Sequence, residues 1–134
     1  MSRTGRCYCG QVSYHSEGEV LMQAQCHCRE CRYLTGGAAN VFMAVPKAGL
    51  TFTQGAPKSF SRDDLPAPVT RDFCANCGTH LLTRSPNLPD AVILKVGSLD
   101  DPTEANPAIA IYTCDQLPFQ TIPPGVASFE HLPT

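Results

Sequence analysis

The sequence predicts an all-β domain with few helices, on three observations. Twelve prolines and ten glycines interrupt the chain too often for long helices. The apolar segments between them are short, and some alternate with polar residues at the period of a half-buried strand. Seven of the eight cysteines fall into three tight groups. A chain of 134 residues can build a modest core, and metal cross-links held by such groups would supplement it.

Taken in order, residues 11–15 alternate as a strand, and 21–25 lead into the central cysteine group as another. Residues 29–34 have room for one helical turn, stopped by Gly36-Gly37. Residues 40–45 are apolar and closed by Pro46, whose missing N–H ends a ladder. Residues 50–53 and 58–61 read as a hairpin around Gln54-Gly55, and 63–68 as a polar, proline-rich loop. Residues 70–73 and 80–84 are strands flanking the last cysteine pair. The most hydrophobic run, 91–96, is the predicted central strand, with a further strand at 108–113. From Pro118 the tail is proline-rich and expected on the surface. With no repeat and no composition break, residues 1–134 read as one zinc-binding domain.

Met1–Arg6 carries no apolar signal-peptide core, and no run approaches the ~20 apolar residues of a membrane helix. A cytoplasmic protein with no membrane partner is the expectation. Formal charge is −2 with neutral thiols. Seven thiolates holding two zinc dications would bring it to about −5. The ten basic residues are scattered, so nucleic acid is not an expected partner. In a reducing compartment, cysteines grouped as C-x-C, C-x-C-x2-C and C-x2-C point to metal rather than to disulfides.

The chain is organised around Cys26-His27-Cys28-Arg29-Glu30-Cys31. Thiolates this close repel one another unless a cation neutralises them. Three soft sulfurs select zinc, copper(I) or an iron–sulfur cluster, and the spacing matches neither common ferredoxin pattern. Three ligands leave a tetrahedral zinc one short, and an open position is what separates a catalytic zinc from a structural one. The competing reading is a second structural zinc completed by Cys114, His27, His80 or His15. A zinc bearing three thiolates carries a net negative charge and is a weak Lewis acid. It suits the capture of a thiol better than the making of hydroxide from water.

Cys7-x-Cys9-Gly10 and Cys74-x2-Cys77-Gly78 are two zinc half-sites separated by 64 residues. Glycine after each second cysteine permits the positive φ that folds a turn back around a metal. Together they would close a four-cysteine site that contributes folding energy; two ordinary turns with buried thiols are the alternative. Among the other residues, His27 could shuttle a proton, as could Glu30. Arg29, Arg32, Lys47, Lys58 and Arg62 could pair with substrate carboxylates. Gly36-Gly37 could offer N–H groups to an anion, and Tyr112 and Phe119 read as core or pocket wall.

The order C-x-C-G, then C-H-C-x2-C-R with a following T-G-G turn, then F-C-x2-C-G-T-x-L resembles the glutathione-dependent formaldehyde-activating enzyme family. That family includes centromere protein V-like proteins. The resemblance runs from Cys7 to about Pro118. It implies a β-tent fold of layered antiparallel sheets, a structural zinc at Cys7, Cys9, Cys74 and Cys77, and a catalytic zinc at Cys26, Cys28 and Cys31. It also implies carbon–sulfur lyase or synthase chemistry on a thiol–aldehyde adduct, the type reaction joining glutathione and formaldehyde into S-hydroxymethylglutathione. Where family members often carry a serine-rich segment and a tryptophan, this chain has Thr113-Cys114 and Phe119, which alters the pocket wall. A non-catalytic zinc scaffold and a zinc or redox sensor, whose exposed thiols would release metal on oxidation, are the alternatives to an enzyme.

Overall fold

In a computed structural model that describes residues 1–133, short strands follow one another as the glycine and proline spacing predicts. They are β1 (Ser2–Arg6), β2 (Ser13–Glu17), β3 (Met22–Cys26), β4 (Asn40–Pro46), β5 (Leu50–Gln54) and β6 (Lys58–Phe60). After these come β7 (Thr70–Phe73), β8 (His80–Arg84), β9 (Ala91–Lys95), β10 (Ile109–Ile111) and β11 (Ala127–Ser128). Among the described residues there is one α-helix, α1 (Arg29–Thr35), and a few 3₁₀ turns.

The strands form two layers, a small sheet β1-β2-β5 and a large one β11-β10-β3-β4-β9-β8-β7-β6. β4 and β9 occupy the middle of the large sheet, so both faces of each are covered and both must be apolar. This is why residues 91–96 stand out in the sequence. Side chains alternate across the pleat. Met43, Val45, Val92 and Leu94 therefore face the small sheet and join Val12, Tyr14 and Leu82 in the main core. Ala24, Cys26, Phe42 and Ile111 form a second core on the opposite face, with Cys31 of α1 laid over them. The hook thus lies on the outer face of the large sheet.

Four features depart from the sequence reading. Residues 50–53 and 58–61 are not a hairpin. β5 pairs with β2, setting Tyr14 against Phe52, whereas β6 pairs with β7, setting Phe60 against Arg71. Gly55 (φ 65°) carries the chain past Gln11, whose carbonyl oxygen would lie 2.3 Å from any Cβ there, and so from one layer to the other. Turn chemistry marks the reversal but does not choose the partner.

β1 is a strand that the polar segment Ser2–Arg6 does not advertise. It is held by backbone pairing to β2, from Ser2 opposite Glu17 to Arg6 opposite Ser13. β10 lies parallel to both β3 and β11, so the large sheet is mixed rather than wholly antiparallel. The tail, finally, does more than cover the surface: Ala127–Ser128 extends the large sheet at its edge.

Near the other edge, Asp72 is buried with a carboxylate that accepts from Arg84 Nε at 2.8 Å and Arg84 Nη2 at 3.0 Å. Ser59 Oγ of β6 donates to the same group at 2.6 Å. A buried charge is tolerated when its hydrogen bonds are filled in this way.

Candidate metal centres and active site

The two half-sites predicted 64 residues apart do meet. Cys7 and Cys9 follow β1, and Cys74 and Cys77 follow β7. Each pair is shaped by a turn: Gly10 N–H donates to Cys7 O and Gly78 N–H to Cys74 O, with φ of 83° and 79° at the glycines. Tyr8 N–H donates to Thr79 Oγ1 at 3.0 Å and ties one turn to the other. Cys7 Sγ lies 3.6 Å from Cys9 Sγ, and Cys9 Sγ lies 3.8 Å from Cys74 Sγ. Disulfide sulfurs would stand about 2 Å apart. Sulfurs about 2.3 Å from a shared tetrahedral zinc stand roughly 3.8 Å apart, which is the spacing found. The thiol set and its geometry fit a closed zinc site. The Thr79 hydroxyl and backbone N–H, with that of Cys9, hold the Cys77 thiol down at about 5, which favours the thiolate form a metal needs.

The hook is built at the C-terminal end of β3. Cys26 closes the strand, and His27 N–H donates to Ile111 O of β10. Cys28 caps α1, its Sγ accepting from Cys31 N–H at 3.3 Å. Gly36 ends the helix in the left-handed conformation (φ 72°), its N–H on Arg32 O. That short helix turns Cys31 back over Cys26, and the three Sγ atoms lie within 4.8 Å of one another. Asn40, opposite Cys26 in the ladder, donates Nδ2–H to Cys31 Sγ at 3.7 Å. The neighbouring Cys26 and Cys28 sulfurs lower Cys31 to about 3, helped by the charge of Lys95. Cys26 is pushed up by Cys28 and Cys31 and by burial. Thiols packed this closely oppose one another's ionisation, a conflict that a bound dication would relieve. The donor set fits zinc.

No candidate fourth ligand joins the three sulfurs among the described residues. Cys114 is exposed, on the 3₁₀ turn Thr113–Asp115. His15 lies on the small sheet beside Glu17. His27 is buried: Nδ1–H donates to Gln120 Oε1 at 2.9 Å, and Nε2 accepts from Gln25 Nε2 at 3.1 Å. Gln120 in turn donates to Gly37 O at 2.8 Å, so His27 anchors the tail to the hook. His80 lines the cavity beside the hook, with Nδ1 buried and unpartnered.

A cavity of about 1110 Å³ opens beside the hook, lined by Cys28, Tyr33, Arg62, Arg71, His80 and Tyr112, among others. Of the cations singled out in the sequence, Arg29, Lys58 and Arg62 reach it, and Arg32 and Lys47 do not. Arg62 is engaged by Asp64, whereas Lys58 and Arg71 make no ion pair among the described residues. Tyr112 forms part of the wall at a left-handed φ of 54°. Phe119 is not core: it is 71% exposed and lies against Gly37.

Sequence reasoning missed Arg71, Asn40 and Lys95. Lys95 is only 8% exposed, and burial lowers its ammonium to about 8 against the opposing pull of Cys31. A lysine closing the most hydrophobic strand was the available signal. By parity it shares the outer face with Ile93, toward the hook.

This chain is similar to several known proteins. A crystal structure of a Rhodobacter sphaeroides protein, solved as a structural-genomics target, matches with a TM-score of 0.59. The match has 21% identity over 78% of this chain and 91% of that one, and it supports the fold alone. A protein of Emericella nidulans, described as a putative glutathione-dependent formaldehyde-activating enzyme, is 33% identical over 84 residues. That alignment covers 60% of this chain and 42% of the relative. The family model for glutathione-dependent formaldehyde-activating enzymes matches residues 2–115, which include every cysteine of both clusters. The chain belongs to the glutathione-dependent formaldehyde-activating enzyme family.

Proposed function

We propose that the protein is a zinc-dependent carbon–sulfur lyase that interconverts a thiol–aldehyde adduct with free thiol and aldehyde. The observation that carries this reading is a cluster of three sulfurs, without a fourth protein ligand among the described residues, at the wall of a large cavity. Zinc bound there would hold a substrate thiol as its thiolate near neutral pH. The four-cysteine site is structural. Lys58 and Arg71 offer unpaired charges to the carboxylates of a thiol such as glutathione, and the aldehyde is small. Family membership supports glutathione and formaldehyde as the pair. We assign His27 a positioning role, because its ring nitrogens hold Gln25 and Gln120 rather than facing the cavity.

Among the described residues no helix is long and apolar enough to cross a membrane. A cytoplasmic protein without nucleic-acid partners is part of the same proposal. The test is two-dimensional exchange NMR of glutathione, formaldehyde and adduct at equilibrium, with wild type, Cys28→Ser and buffer in parallel. Wild type should exceed the unaided exchange and Cys28→Ser should not. Equal exchange in all three, across a panel of thiols and aldehydes, would overturn the proposal.

A further inference from the structure

Beside the hook, Asn40 borders a second space. It is a smaller cleft of about 530 Å³, lined by Asn40, Thr79, His80, Lys95, Gly97 and Ser98, among others. His80 and Leu34 border both this cleft and the large cavity. The two spaces meet the hook through different residues. Cys28 faces the large cavity, and Asn40, which donates to Cys31 Sγ, faces the small cleft.

Lys95 is the buried cation of this cleft. Its side chain projects from β9 on the face that carries Phe42, its ladder partner, next to the Cys26–Asn40 pair. It is 8% exposed, and among the described residues its Nζ forms no ion pair and no hydrogen bond. His80, which also lines the cleft, has its Nδ1 buried and unpartnered. Buried polar groups are normally satisfied, and a desolvated ammonium is costly to leave bare. A cleft lined by such unspent polar groups has room for a small carbonyl compound and suits a polar ligand that arrives and leaves.

We propose that the small cleft is the aldehyde entrance and that Lys95 is a catalytic residue, its Nζ donating to the carbonyl oxygen. This rests on the lyase reading above. As the substrate sulfur bonds to the carbonyl carbon, the C=O π pair moves onto oxygen. A proton then passes from Nζ to that oxygen, leaving a neutral amine that solvent in the cleft reprotonates. In the reverse direction Nζ takes the hydroxyl proton while the C–S bond breaks and the pair returns to sulfur. A positioned acid of this kind is worth roughly 100-fold or more. Thiol binding, which uses the large cavity, does not need it.

The experiment compares wild type, Lys95→Met and Gly97→Leu. Gly97 lines the cleft with open space where a Cβ would stand, so leucine narrows the entrance without touching the hook. Three quantities are read: zinc per chain, the calorimetric Kd of glutathione alone, and the exchange rate against formaldehyde concentration. Lys95→Met should keep wild-type zinc and glutathione binding while exchange slows roughly 100-fold. Gly97→Leu should raise the formaldehyde concentration for half-maximal rate and leave that for glutathione unchanged. Lost zinc or lost thiol binding in Lys95→Met would make Lys95 a counter-charge to the hook and overturn the assignment. So would undiminished exchange in Lys95→Met, or an unchanged formaldehyde dependence in Gly97→Leu. Should Lys95→Met not fold, Gly97→Leu alone decides. An inert wild type would remove the lyase reading and this role together, whereas an active wild type matched by Lys95→Met removes this role only.

Discussion

Cys9 Sγ stands 3.8 Å from Cys74 Sγ although the two are 65 positions apart in the sequence, and that contact joins the small sheet's first strand to the edge region of the large one. A metal there closes a long loop, whereas the hook spans six residues and closes almost none. Cys74→Ser should therefore yield insoluble or unfolded protein. Cys28→Ser should stay folded with about half the zinc. Circular dichroism and metal analysis of both variants check this, and equal loss of structure in the two would refute the division of roles.

Gly5 tests the β1 attachment that the sequence did not announce. A Cβ at this position would lie 2.3 Å from Tyr14 Cζ and 2.6 Å from Ser98 O. The second contact is with backbone and has no easy relief. Gly5→Ala should cost about 3 kcal/mol or more. Gly97→Ala, where a Cβ meets nothing within 4 Å, should fall within about 0.5 kcal/mol of wild type. Urea unfolding of the two variants gives the comparison.

Tyr14 predicts an alkaline limit. Its hydroxyl is buried 2.7 Å from Ser98 Oγ, and burial raises it from 10.0 to about 12. A raised phenol pKa means the folded state keeps a proton that the unfolded chain releases. The associated stability is complete below pH 10 and is lost as pH rises toward 12, by roughly 2–3 kcal/mol. Tyr14→Phe should be about 1 kcal/mol less stable at pH 7 and should show a flatter decline over that window. Stability measured at pH 8 to 11 decides it. An equally steep decline in the variant would rule out Tyr14 as the cause.

Arg84 neutralises the buried carboxylate of Asp72 near the edge of the large sheet. Removing its guanidinium leaves the Asp72 carboxylate, 6% exposed, with Ser59 as its remaining side-chain partner. Arg84→Ala should cost about 2–3 kcal/mol, tempered by the partial exposure of the arginine. Asp72→Asn in the same chain should recover at least half, since a neutral amide tolerates burial better. Failure of the double variant to recover would show that Arg84 contributes packing rather than charge.

The chemistry of this protein was legible in the sequence because it is local. Cys26, Cys28 and Cys31 are clustered by covalent spacing alone, and the glycines after Cys9 and Cys77 mark metal-binding turns before any fold is known. The alternation along β2 and the apolar run of β9 likewise record which layers they must enter. What needed the tertiary structure was every choice of partner. Backbone N–H and C=O groups are the same in all strands, so nothing local told β5 to join β2 or held polar β1 to its edge. The same holds for side chains in the site. Lys95 reads as the polar end of a strand, and only the register of β9 beside β4, with α1 folded over the same face, brings its charge to the hook. Ligands near in sequence are set by chain geometry; groups that act on them from across a sheet are set by packing, which one chain segment cannot express.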